Sequence, residues 1–395
     1  MNSKWEYRKI GDVCIVERGG SPRPIEQYIT DANDGINWIK IGDTSESMYI
    51  TKTAQKIRPE GMKKSRYVQP GDFLLSNSMS FGRPYILKID GCIHDGWLVL
   101  RDENNLFDKR FLYYCLSAKP TYEKFKLMAV GGVVNNLNSE MVRNVYVPVP
   151  SKEEQAKIAD LFDAVNIVLL KRQQQLQKLD DLVKARFVEL FGDPDKNPYG
   201  WNLSSIGALI ASCEAGWSGN GTQREKQDGE VAVLKVSAVT KGYFIPSECK
   251  VLDNQSNIKK YIYPQAGDLL FSRANTREMV GATAVVTKDF PEHILPDKLW
   301  KIRFVEAANV WYMKYILSNK SIRSIFSSMS TGTSGSMYNV SMEKFKSIKI
   351  PLPPLALQNQ FAAFVTQTDK SKLAISESLT GLETLKNSLM QQYFG

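Results

Sequence analysis

Side chains that could carry out catalysis are present in this chain, but their spacing matches no catalytic or metal site. The two histidines, His94 and His293, belong neither to an HExxH motif nor to a Cys/His set with zinc spacing. The glycines form neither the phosphate-binding loop of nucleotide hydrolases nor the GxGxxG motif of dinucleotide-binding proteins. We therefore expect no catalytic site, no metal site and no cofactor in this chain.

Two segments contain pieces of catalytic motifs. Asn197-Pro198-Tyr199 is similar to the Asn-Pro-Pro-Tyr motif with which adenine methyltransferases hold a flipped base, but the second proline is missing and no cofactor-binding glycine motif precedes it. We interpret this segment as a turn. Pro296-Asp297 and residues 343–346 contain residue types of a metal nuclease, but they are farther apart than in such a site. We interpret their carboxylates as scattered groups on loops.

Chemistry of another kind, the recognition of DNA bases, fits two polar loops that follow Gly71-Asp72 and Gly267-Asp268. Arginine can form bidentate hydrogen bonds with guanine, and asparagine with adenine, in the major groove. The two loops differ from each other, so they would read different base sequences. Their candidate DNA-binding residues are Asn77, Ser78, Ser80, Arg83, Arg273, Asn275, Thr276 and Arg277. Ordinary surface loops of similar composition remain the alternative.

Four further loops are rich in Gly, Ser and Asn, and they cover residues 18–23, 131–136, 216–221 and 331–336. Small residues let backbone amides approach phosphate closely, so these loops could position DNA without reading its sequence. Their candidate residues are Arg18, Ser21, Arg23, Asn135, Asn136, Trp217, Asn220, Thr333 and Ser334. Flexible connecting loops would have a similar composition, and this alternative also stays open.

The loops fall at corresponding places because the chain contains an internal repeat. Segments from the start of the chain recur in the same order near its middle and towards its end. The correspondences are Trp5–Gly11 with Trp201–Gly207 and Gln69–Ser76 with Gln265–Ser272 at a shift of 196 residues, and Val147–Pro150 with Ile350–Pro353 at a shift of 203. Their common order indicates that the chain arose by duplication.

Each repeat consists of a globular part, called a head below, and a long helix. The heads contain short β-branched and aromatic runs separated by Gly, Pro, Asn and Asp, together with one helical stretch each. We therefore predict a mixed α/β fold in which two similar strand-rich α+β heads are related by pseudo-two-fold symmetry and joined by two long antiparallel coiled-coil helices. The predicted domains are residues 1–150 (first head), 151–192 (first long helix), 193–350 (second head) and 351–395 (second long helix).

The first long helix has recognisable start and end signals. Ser151 and Glu154 form a capping box, and Gly192 followed by Pro194 ends the helix. About 40 residues make a rod of about 60 Å. Apolar residues at heptad spacing predict that the two helices pair, and the second helix must run back along the first. Packing of each helix against its own head alone is the alternative.

Charge and cysteine usage limit the partners and the compartment. The net charge of +9 is concentrated in the heads, with an excess of +4 over residues 1–150 and +5 over residues 193–350. This excess permits a polyanionic partner. No apolar run of about 18 residues occurs, and the five cysteines lack CxxC spacing, so we expect reduced thiols in a cytoplasmic protein without a signal peptide or membrane span.

These features together resemble the specificity subunit of type I restriction-modification systems, over essentially the full length of the chain. The likeness is carried by the two Trp-x-x-x-x-Ile-Gly segments, the Gly-Asp turns, the two Pro-x-Pro segments followed by Gln, and the junction Phe191–Trp201. No single motif is decisive, but their order, repeated twice, is specific.

The resemblance implies that the heads are target-recognition domains, each reading one half of a split, asymmetric site in double-stranded DNA. It further implies that the helices dock two methyltransferase (modification) subunits, which restriction/translocase subunits can join. S-adenosylmethionine, ATP and Mg²⁺ would then be bound by the partner subunits. Partner binding requires apolar surface outside the helix pair, for which Ile158, Leu161, Leu182 and Phe187 are the candidates.

Two other functions remain open at this point. A non-catalytic coiled-coil scaffold that binds proteins would bind DNA weakly and without sequence preference, and its DNA binding would not depend on Arg83 or Arg273. A single-chain nuclease or methyltransferase would transfer methyl groups from S-adenosylmethionine on its own, and the missing motifs argue against this function.

Overall fold

The computed structural model describes residues 5–77, 82–129, 136–227, 229–330 and 337–395. The chain forms two compact units. Unit 1 consists of residues 1–174 and 376–395, and unit 2 consists of residues 175–375. Each unit therefore contains one head together with one part of each long helix. The finer division into four domains stays a prediction.

Unit 1 has mixed α/β structure. Its strands are β1 (Tyr7–Lys9), β2 (Ile15–Arg18), β3 (Ile29–Thr30), β4 (Ile36–Ile39), β5 (Tyr49–Ile50), β6 (Gln55–Ile57), β7 (Arg66–Val68), β8 (Phe73–Ser76), β9 (Pro84–Leu87), β10 (Gly91–Ile93), β11 (Trp97–Arg101) and β12 (Tyr146–Pro148). Its helices are α1 (Ile10–Val13), α2 (Lys109–Ser117), α3 (Lys119–Ala129), α4 (Ser139–Arg143) and the first part of the long helix α5 (Lys152–Phe191). The sheet orders are β3-β6-β4-β10-β7, β2-β11-β8-β9-β5 and β1-β12.

Unit 2 is built from similar elements. Its strands are β13 (Leu203–Ser205), β14 (Ile210–Ala215), β15 (Gly221–Thr222), β16 (Ala232–Leu234), β17 (Cys249–Leu252), β18 (Leu269–Ser272), β19 (Ala274–Asn275), β20 (Thr283–Val285), β21 (His293–Ile294), β22 (Leu299–Phe304), β23 (Tyr338–Asn339) and β24 (Lys349–Pro351). Its helices are α6 (Ile206–Leu209), α7 (Val310–Ser318), α8 (Lys320–Met329), α9 (Met342–Ser347) and the first part of the long helix α10 (Leu355–Phe394). The sheet orders are β14-β22-β18-β20, β15-β17-β16-β21, β13-β24 and β19-β23.

The strand orders confirm the repeat that the sequence predicts. In unit 1 the order β2-β11-β8-β9 corresponds to β14-β22-β18-β20 in unit 2. A parallel pair recurs as well, formed by β4 with β10 in unit 1 and by β16 with β21 in unit 2. The two heads therefore share one topology.

The central strand of each head buries both of its faces. Phe73 and Leu75 of β8 belong to the same core as the head helix α2, whereas Leu74 faces a second core on the other side of the sheet. In unit 2, Phe271 and Leu270 of β18 are divided between two cores in the same way. Successive side chains of a strand point to opposite faces, so a continuous apolar run is what such a strand requires.

The repeated Gly-Asp segment is a structural turn that precedes this strand. The Asp72 carboxylate accepts a hydrogen bond from the Gln69 backbone N–H at 3.0 Å and pairs with Arg101 Nε at 3.2 Å. Gly71 has φ of +96°, in the region that glycine tolerates best. The same turn in unit 2 is held by Asp268, whose side chain is fully buried and pairs with Lys301 and Arg303. The turn thus fixes where the next loop begins.

The Pro-x-Pro segments followed by Gln attach the long helices to the heads. Gln155 is fully buried, and its side chain accepts a hydrogen bond from the Asp108 N–H at 2.7 Å and donates one to the Pro150 carbonyl at 2.9 Å. Gln358 makes the corresponding bonds with Asn309 and Pro353 at 2.8 Å each. Since Asp108 and Asn309 are the N-caps of the head helices α2 and α7, each glutamine joins two helix starts.

Both long helices span about the predicted ranges. The Ser151 hydroxyl accepts a hydrogen bond from the Glu154 N–H at 3.3 Å, and Gly192 has φ of +77° directly after the helix. The second helix begins at Leu355, four residues later than the predicted boundary at residue 351. Pro351 ends β24, and Pro353 and Pro354 have no N–H to donate to a helix.

Within each unit, the segments of α5 and α10 run antiparallel. In unit 2 the Phe187 ring lies 5.4 Å from the Phe361 ring, and Asp180, two turns earlier, pairs with Lys372 at 2.6 Å. In unit 1 the rings of Phe162 and Phe394 lie 5.9 Å apart. The helices also pack against the heads, so the alternative in which they bind only their own heads is wrong.

Candidate nucleic-acid interface

In unit 1, Asp95 holds two of the predicted loops together. This residue lies in the turn between β10 and β11, and its carboxylate accepts a hydrogen bond from Ser21 Oγ at 3.0 Å and pairs with Arg23 at 3.4 Å. Its backbone carbonyl accepts hydrogen bonds from Arg18 Nε at 3.1 Å and Asn77 Nδ2 at 2.9 Å. The loop at residues 18–23 and the start of the loop at residue 77 are therefore anchored to one residue.

The charge of Asp95 is stabilised by its neighbours. Burial alone would raise the pKa of the Asp95 carboxyl, but His94, Ser21, Arg18 and Arg23 together lower it below its ordinary value. His94 Nε2 lies 2.9 Å from the carboxylate. The cluster thus combines one carboxylate with two guanidinium groups, and Arg23 leaves 81% of its side chain exposed. Such exposed cations are suited to contacts with phosphate or with guanine.

Unit 2 repeats this arrangement with different side chains. The Asp297 carboxylate accepts a short hydrogen bond from Ser218 Oγ, and its carbonyl accepts one from Arg273 Nε at 2.8 Å. Arg273 thus takes the place that Asn77 has in unit 1. Its Nη2 also lies 4.0 Å from the Asp297 carboxylate. The Ser-Asp pair is common to the two units, while the surrounding residues differ.

The second loop of unit 2 is placed by a strand pair. β19 pairs with β23, which sets Asn275 opposite Tyr338. Arg277 is exposed, its Nε donates to Ser327 Oγ at 3.3 Å, and its guanidinium lies 5.9 Å from the Tyr338 ring centroid. Thr276 is exposed beside it. These side chains form a polar surface that includes the exposed guanidinium group of Arg277.

Some predicted residues are exposed but make fewer contacts, and others lie outside the described residues. Arg83 and Asn136 are exposed in unit 1. In unit 2, Asn220 is exposed and Trp217 is half-buried against the core that contains Val233. The predicted residues outside the described part of the chain are Ser78, Ser80, Asn135, Thr333 and Ser334.

The structure corrects the prediction for Asn77. Asn77 is 2% exposed, and its side-chain amide donates a hydrogen bond to the backbone carbonyl of Asp95. A buried amide that already donates to a protein carbonyl is not available to a base, which argues against the predicted base contact.

Two of the predicted partner-binding residues are also corrected. Ile158 and Phe187 are each 4% exposed and belong to the cores of units 1 and 2. The heptad pattern placed them outside the helix pair, but that side of α5 is covered by the heads. Leu161 and Leu182 are exposed, and the exposed Val168 lies seven residues after Leu161 on the same helix face.

Sequence reasoning missed the two anchoring aspartates. Asp95 was not singled out, and Asp297 was interpreted as a scattered loop carboxylate. One signal could have revealed them, since His94-Asp95 and Pro296-Asp297 correspond at a shift of 202 residues, and aspartate recurs there although its neighbours change.

The segment Asn197-Pro198-Tyr199 is confirmed as a turn. Asn197 has φ of +40°, and its side-chain amide bonds both the N–H and the carbonyl of Trp201 at 2.9 and 2.8 Å. The Tyr199 hydroxyl donates to the Glu189 carbonyl at 3.0 Å, and the Trp201 indole donates to the Phe191 carbonyl at 3.1 Å. The segment therefore covers the end of α5.

Groups that could do other chemistry are few in the part of the chain that the structure describes. Burial raises the pKa of the Cys115 thiol to about 12, which disfavours the thiolate a nucleophile needs. No cluster of three or more His, Cys, Asp or Glu residues that could hold a metal ion occurs among the described residues. No helix in the same ranges is long and apolar enough to cross a membrane.

Comparisons with a family model and with known proteins point to the same family. The family model for the type I restriction modification DNA specificity domain matches residues 2–180 and again residues 198–384. The chain is 28% identical over 199 residues to the type I restriction enzyme EcoEI specificity subunit of Escherichia coli, covering 48% of this chain and 34% of that protein. It is 25% identical over 279 residues to the MjaIX specificity subunit of Methanocaldococcus jannaschii, covering 65% of this chain and 62% of that protein. These matches span less than two thirds of either relative.

A longer match and two solved structures extend the comparison. The EcoKI specificity subunit of Escherichia coli is 21% identical over 419 residues, covering 99% of this chain and 88% of that protein. A chain from a structure of a type I R-M system superposes with a TM-score of 0.60 at 17% identity, over 99% of this chain and 97% of that one. The type I restriction-modification S subunit of M. genitalium superposes with a TM-score of 0.56 at 14% identity, over 100% of this chain and 97% of that one. At such identities the structures support the fold alone.

Proposed function

Since the chain belongs to the type I restriction modification DNA specificity family, whose model matches both repeats, we propose that it reads a bipartite, asymmetric sequence in double-stranded DNA, one half with each head. The observation that carries this proposal is the anchored loop frame that recurs in both units. Ser21 with Asp95 and Ser218 with Asp297 form the same pair. The exposed residues around them differ, so the two heads would read different half-sites.

The charged residues support contact with DNA. Arg18 and Arg23 are exposed around Asp95, and Arg277 is exposed beside Tyr338. The excess positive charge of both heads would attract the phosphate backbone, while the arginine side chains would select bases. Catalysis would belong to partner subunits, because the sequence lacks the glycine motifs that bind S-adenosylmethionine or ATP phosphates.

The long helices would dock the partners, two modification subunits and, through them, restriction/translocase subunits. In unit 1, Leu161 and Val168 of α5 are exposed apolar residues seven positions apart, a spacing that suits a partner helix, and Leu182 is exposed on the part of α5 that belongs to unit 2. Partner subunits would bring S-adenosylmethionine, ATP and Mg²⁺ to the complex.

Mapping of methyladenine tests the proposal. The chain is co-expressed with a modification subunit of its system in cells without other methylation, and methylated positions are mapped across the genome. We expect a split motif with two specified halves. Arg23→Ala should relax or abolish recognition of one half, and Arg277→Ala of the other, whereas Lys349→Ala, an exposed residue of β24, should change neither.

Exchange of residues 1–150 for another first head should change one half of the motif only. Weak DNA binding without sequence preference, unchanged in the Arg23→Ala and Arg277→Ala variants, would instead identify a protein-binding scaffold.

A further inference from the structure

Two lysine pairs occupy corresponding positions in the two heads. Lys63-Lys64 lies shortly before β7 in unit 1, and Lys259-Lys260 lies in unit 2 at the shift of 196 residues that also relates the two Gly-Asp turns. All four lysines are exposed. Most residues between each pair and its turn differ, for example Ser65-Arg66 in unit 1 and Tyr261-Ile262 in unit 2. The pairs are therefore among the features that both copies of the head retain.

The other residues that these segments share have a structural role, whereas the first lysine of each pair has none. The Tyr67 and Tyr263 carbonyls accept hydrogen bonds at 2.6 and 2.9 Å from a cationic side chain of β11 and of β22, respectively. The Gly-Asp residues form the turn described above. Lys63 and Lys259 make no ion pair or side-chain hydrogen bond with any residue that the structure describes. Their ammonium groups are therefore available to an external partner.

In unit 1 the lysine pair lies against the loop at residues 18–23. A Cβ atom at Gly20 would come within 3.1 Å of the Lys64 carbonyl oxygen. The Ile93 carbonyl accepts hydrogen bonds from the Gly20 N–H at 3.2 Å and from Ser65 Oγ at 3.1 Å. One carbonyl thus joins the loop to the residue that follows the pair, which fixes the pair beside the loop.

In unit 2 the lysine pair lies beside the loop at residues 216–221. Lys260 Nζ donates to the Ala215 carbonyl at 2.7 Å, directly before that loop. The Leu295 N–H donates to the Ile262 carbonyl at 2.9 Å, and the Leu295 carbonyl accepts a hydrogen bond from the second residue of the loop at 2.9 Å. The loop contains no charged residue of its own, so the lysines supply the positive charge beside it.

The chemistry of these groups fits phosphate better than bases. A lysine ammonium is a compact point charge that binds phosphate, and it lacks the planar fork of arginine. A residue that is the same in both heads also cannot distinguish two different half-sites, whereas every half-site presents the same phosphate backbone. The neighbouring loops do differ, since that of unit 1 contains Arg18 and Arg23 and that of unit 2 contains Trp217 and Asn220.

We propose that Lys63 and Lys259 contact the phosphate backbone of DNA, one in each head, and position the neighbouring loop without contributing to the choice of sequence. The second lysine of each pair already bonds within its own unit, so the first is the one available to DNA. This inference rests on the proposed function, because it requires both heads to bind double-stranded DNA.

The salt dependence of DNA affinity tests this inference on the full chain. A lysine that neutralises one phosphate contributes about 0.9 to the slope of log affinity against log salt concentration. Lys63→Gln and Lys259→Gln should therefore each make the slope shallower by about 0.9, and the double variant by about 1.8. Fluorescence anisotropy over about 50 to 200 mM salt measures the slope on one duplex that contains the methylated motif and on one that lacks it.

Matched controls come from exposed lysines away from these loops. Lys52 follows β5, at the opposite edge of the sheet from β2, and Lys349 belongs to β24 in a different sheet from β14. Lys52→Gln and Lys349→Gln should leave the slope unchanged. Lys63→Arg and Lys259→Arg should keep the wild-type slope, because they retain the positive charge.

The methylated motif separates phosphate contacts from base contacts. Both glutamine variants of the proposed contacts should methylate the wild-type motif, and their affinity should fall by the same factor for both duplexes. An unchanged slope in either variant, an equal change in the controls or an altered motif would overturn the inference. A wild-type chain that binds both duplexes equally would contradict the proposed function, while the slopes on those duplexes would still decide the inference.

Discussion

At the scale of single residues, the two heads share a Ser-Asp pair that holds the loops and differ in the side chains around it. Asp95 and Asp297 each join a serine from one loop to a residue at the start of another. Neither aspartate is well placed to read DNA itself, since its oxygens already accept bonds within the protein. We interpret Asp95 as a positioning residue for the exposed Arg18 and Arg23, and Asp297 as one for the half-buried Arg273.

Replacement of these aspartates should affect the two halves of the DNA site separately. Asp95→Ala removes the carboxylate that binds Ser21 and Arg23, while the backbone carbonyl can still accept from Arg18 and Asn77. We expect about tenfold or greater loss of discrimination at one half-site, the range in which a misplaced base contact costs about 1–3 kcal/mol. Asp297→Ala should act on the other half-site. Binding of variant duplexes, followed by fluorescence anisotropy, measures both effects.

Two results would separate positioning from a merely structural role. Thermal unfolding of both variants should remain close to that of the wild-type chain, because the Asp95 and Asp297 side chains are 30% and 47% exposed and their pairs are screened. If both variants lost the same half of the site, or lost affinity equally for every sequence, the anchoring role would be wrong.

At the scale of elements, one side of α5 packs against the heads and another side is exposed to solvent. Phe187 packs against Tyr312 at 5.8 Å and Phe361 at 5.4 Å between ring centroids, whereas Leu182 is 50% exposed. The two residues are five positions apart on the same helix. A substitution at Phe187 therefore tests the stability of unit 2, whereas a substitution at Leu182 tests the binding of partners.

Phe187→Asp should unfold unit 2, since a charge placed among buried rings costs several kcal/mol in addition to the lost packing. We expect a fall of about 4 kcal/mol or more in the free energy of unfolding, measured by urea denaturation. Leu182→Asp should change stability by less than about 1 kcal/mol but reduce binding of a modification subunit in pull-down with the purified protein. A stable, well-folded Phe187→Asp variant would contradict the packing described for this residue.

The elements that the sequence predicts well are those set by local signals. Ser151, Glu154 and Gly192 define α5 within one residue because capping depends on neighbouring backbone groups. The start of α10 was misplaced because proline can begin a helix as well as prevent one, and Pro351 completes β24 instead.

Features that depend on distant contacts could not be predicted in this way. The burial of Ile158 comes from the core of unit 1, which a heptad count along one helix does not contain. Asp95 meets Ser21 across 74 residues of sequence, so its role becomes visible only when the strands on either side are paired. The sequence places Arg23 and Arg277 in polar loops, where both are exposed, but it does not indicate that Asp95 holds Arg23.

At the scale of the whole molecule, the proposed function means that two different heads on one chain bind a single duplex bivalently. Linking two binding modules raises affinity by about 10²–10⁴ when both sites can be occupied together. The sequence predicts that the long helices fix the spacing of the heads, and this stays a prediction. If it holds, affinity must depend on the gap between the half-sites as well as on their sequences.

A change of the gap by five base pairs should therefore remove the gain in affinity that the second half-site provides. Such a change moves that half-site by about 17 Å and turns it by about half a helical turn, since B-DNA repeats about every 10.5 base pairs. Once the methylated motif is known, duplexes with the native gap, with five added base pairs and with only one half-site can be compared by fluorescence anisotropy at one salt concentration. The altered duplex should bind like the single half-site, about 10²-fold or more weaker than the native one. Equal affinity for the native and the altered gap would mean that the heads move independently, and the long helices would then not act as a spacer.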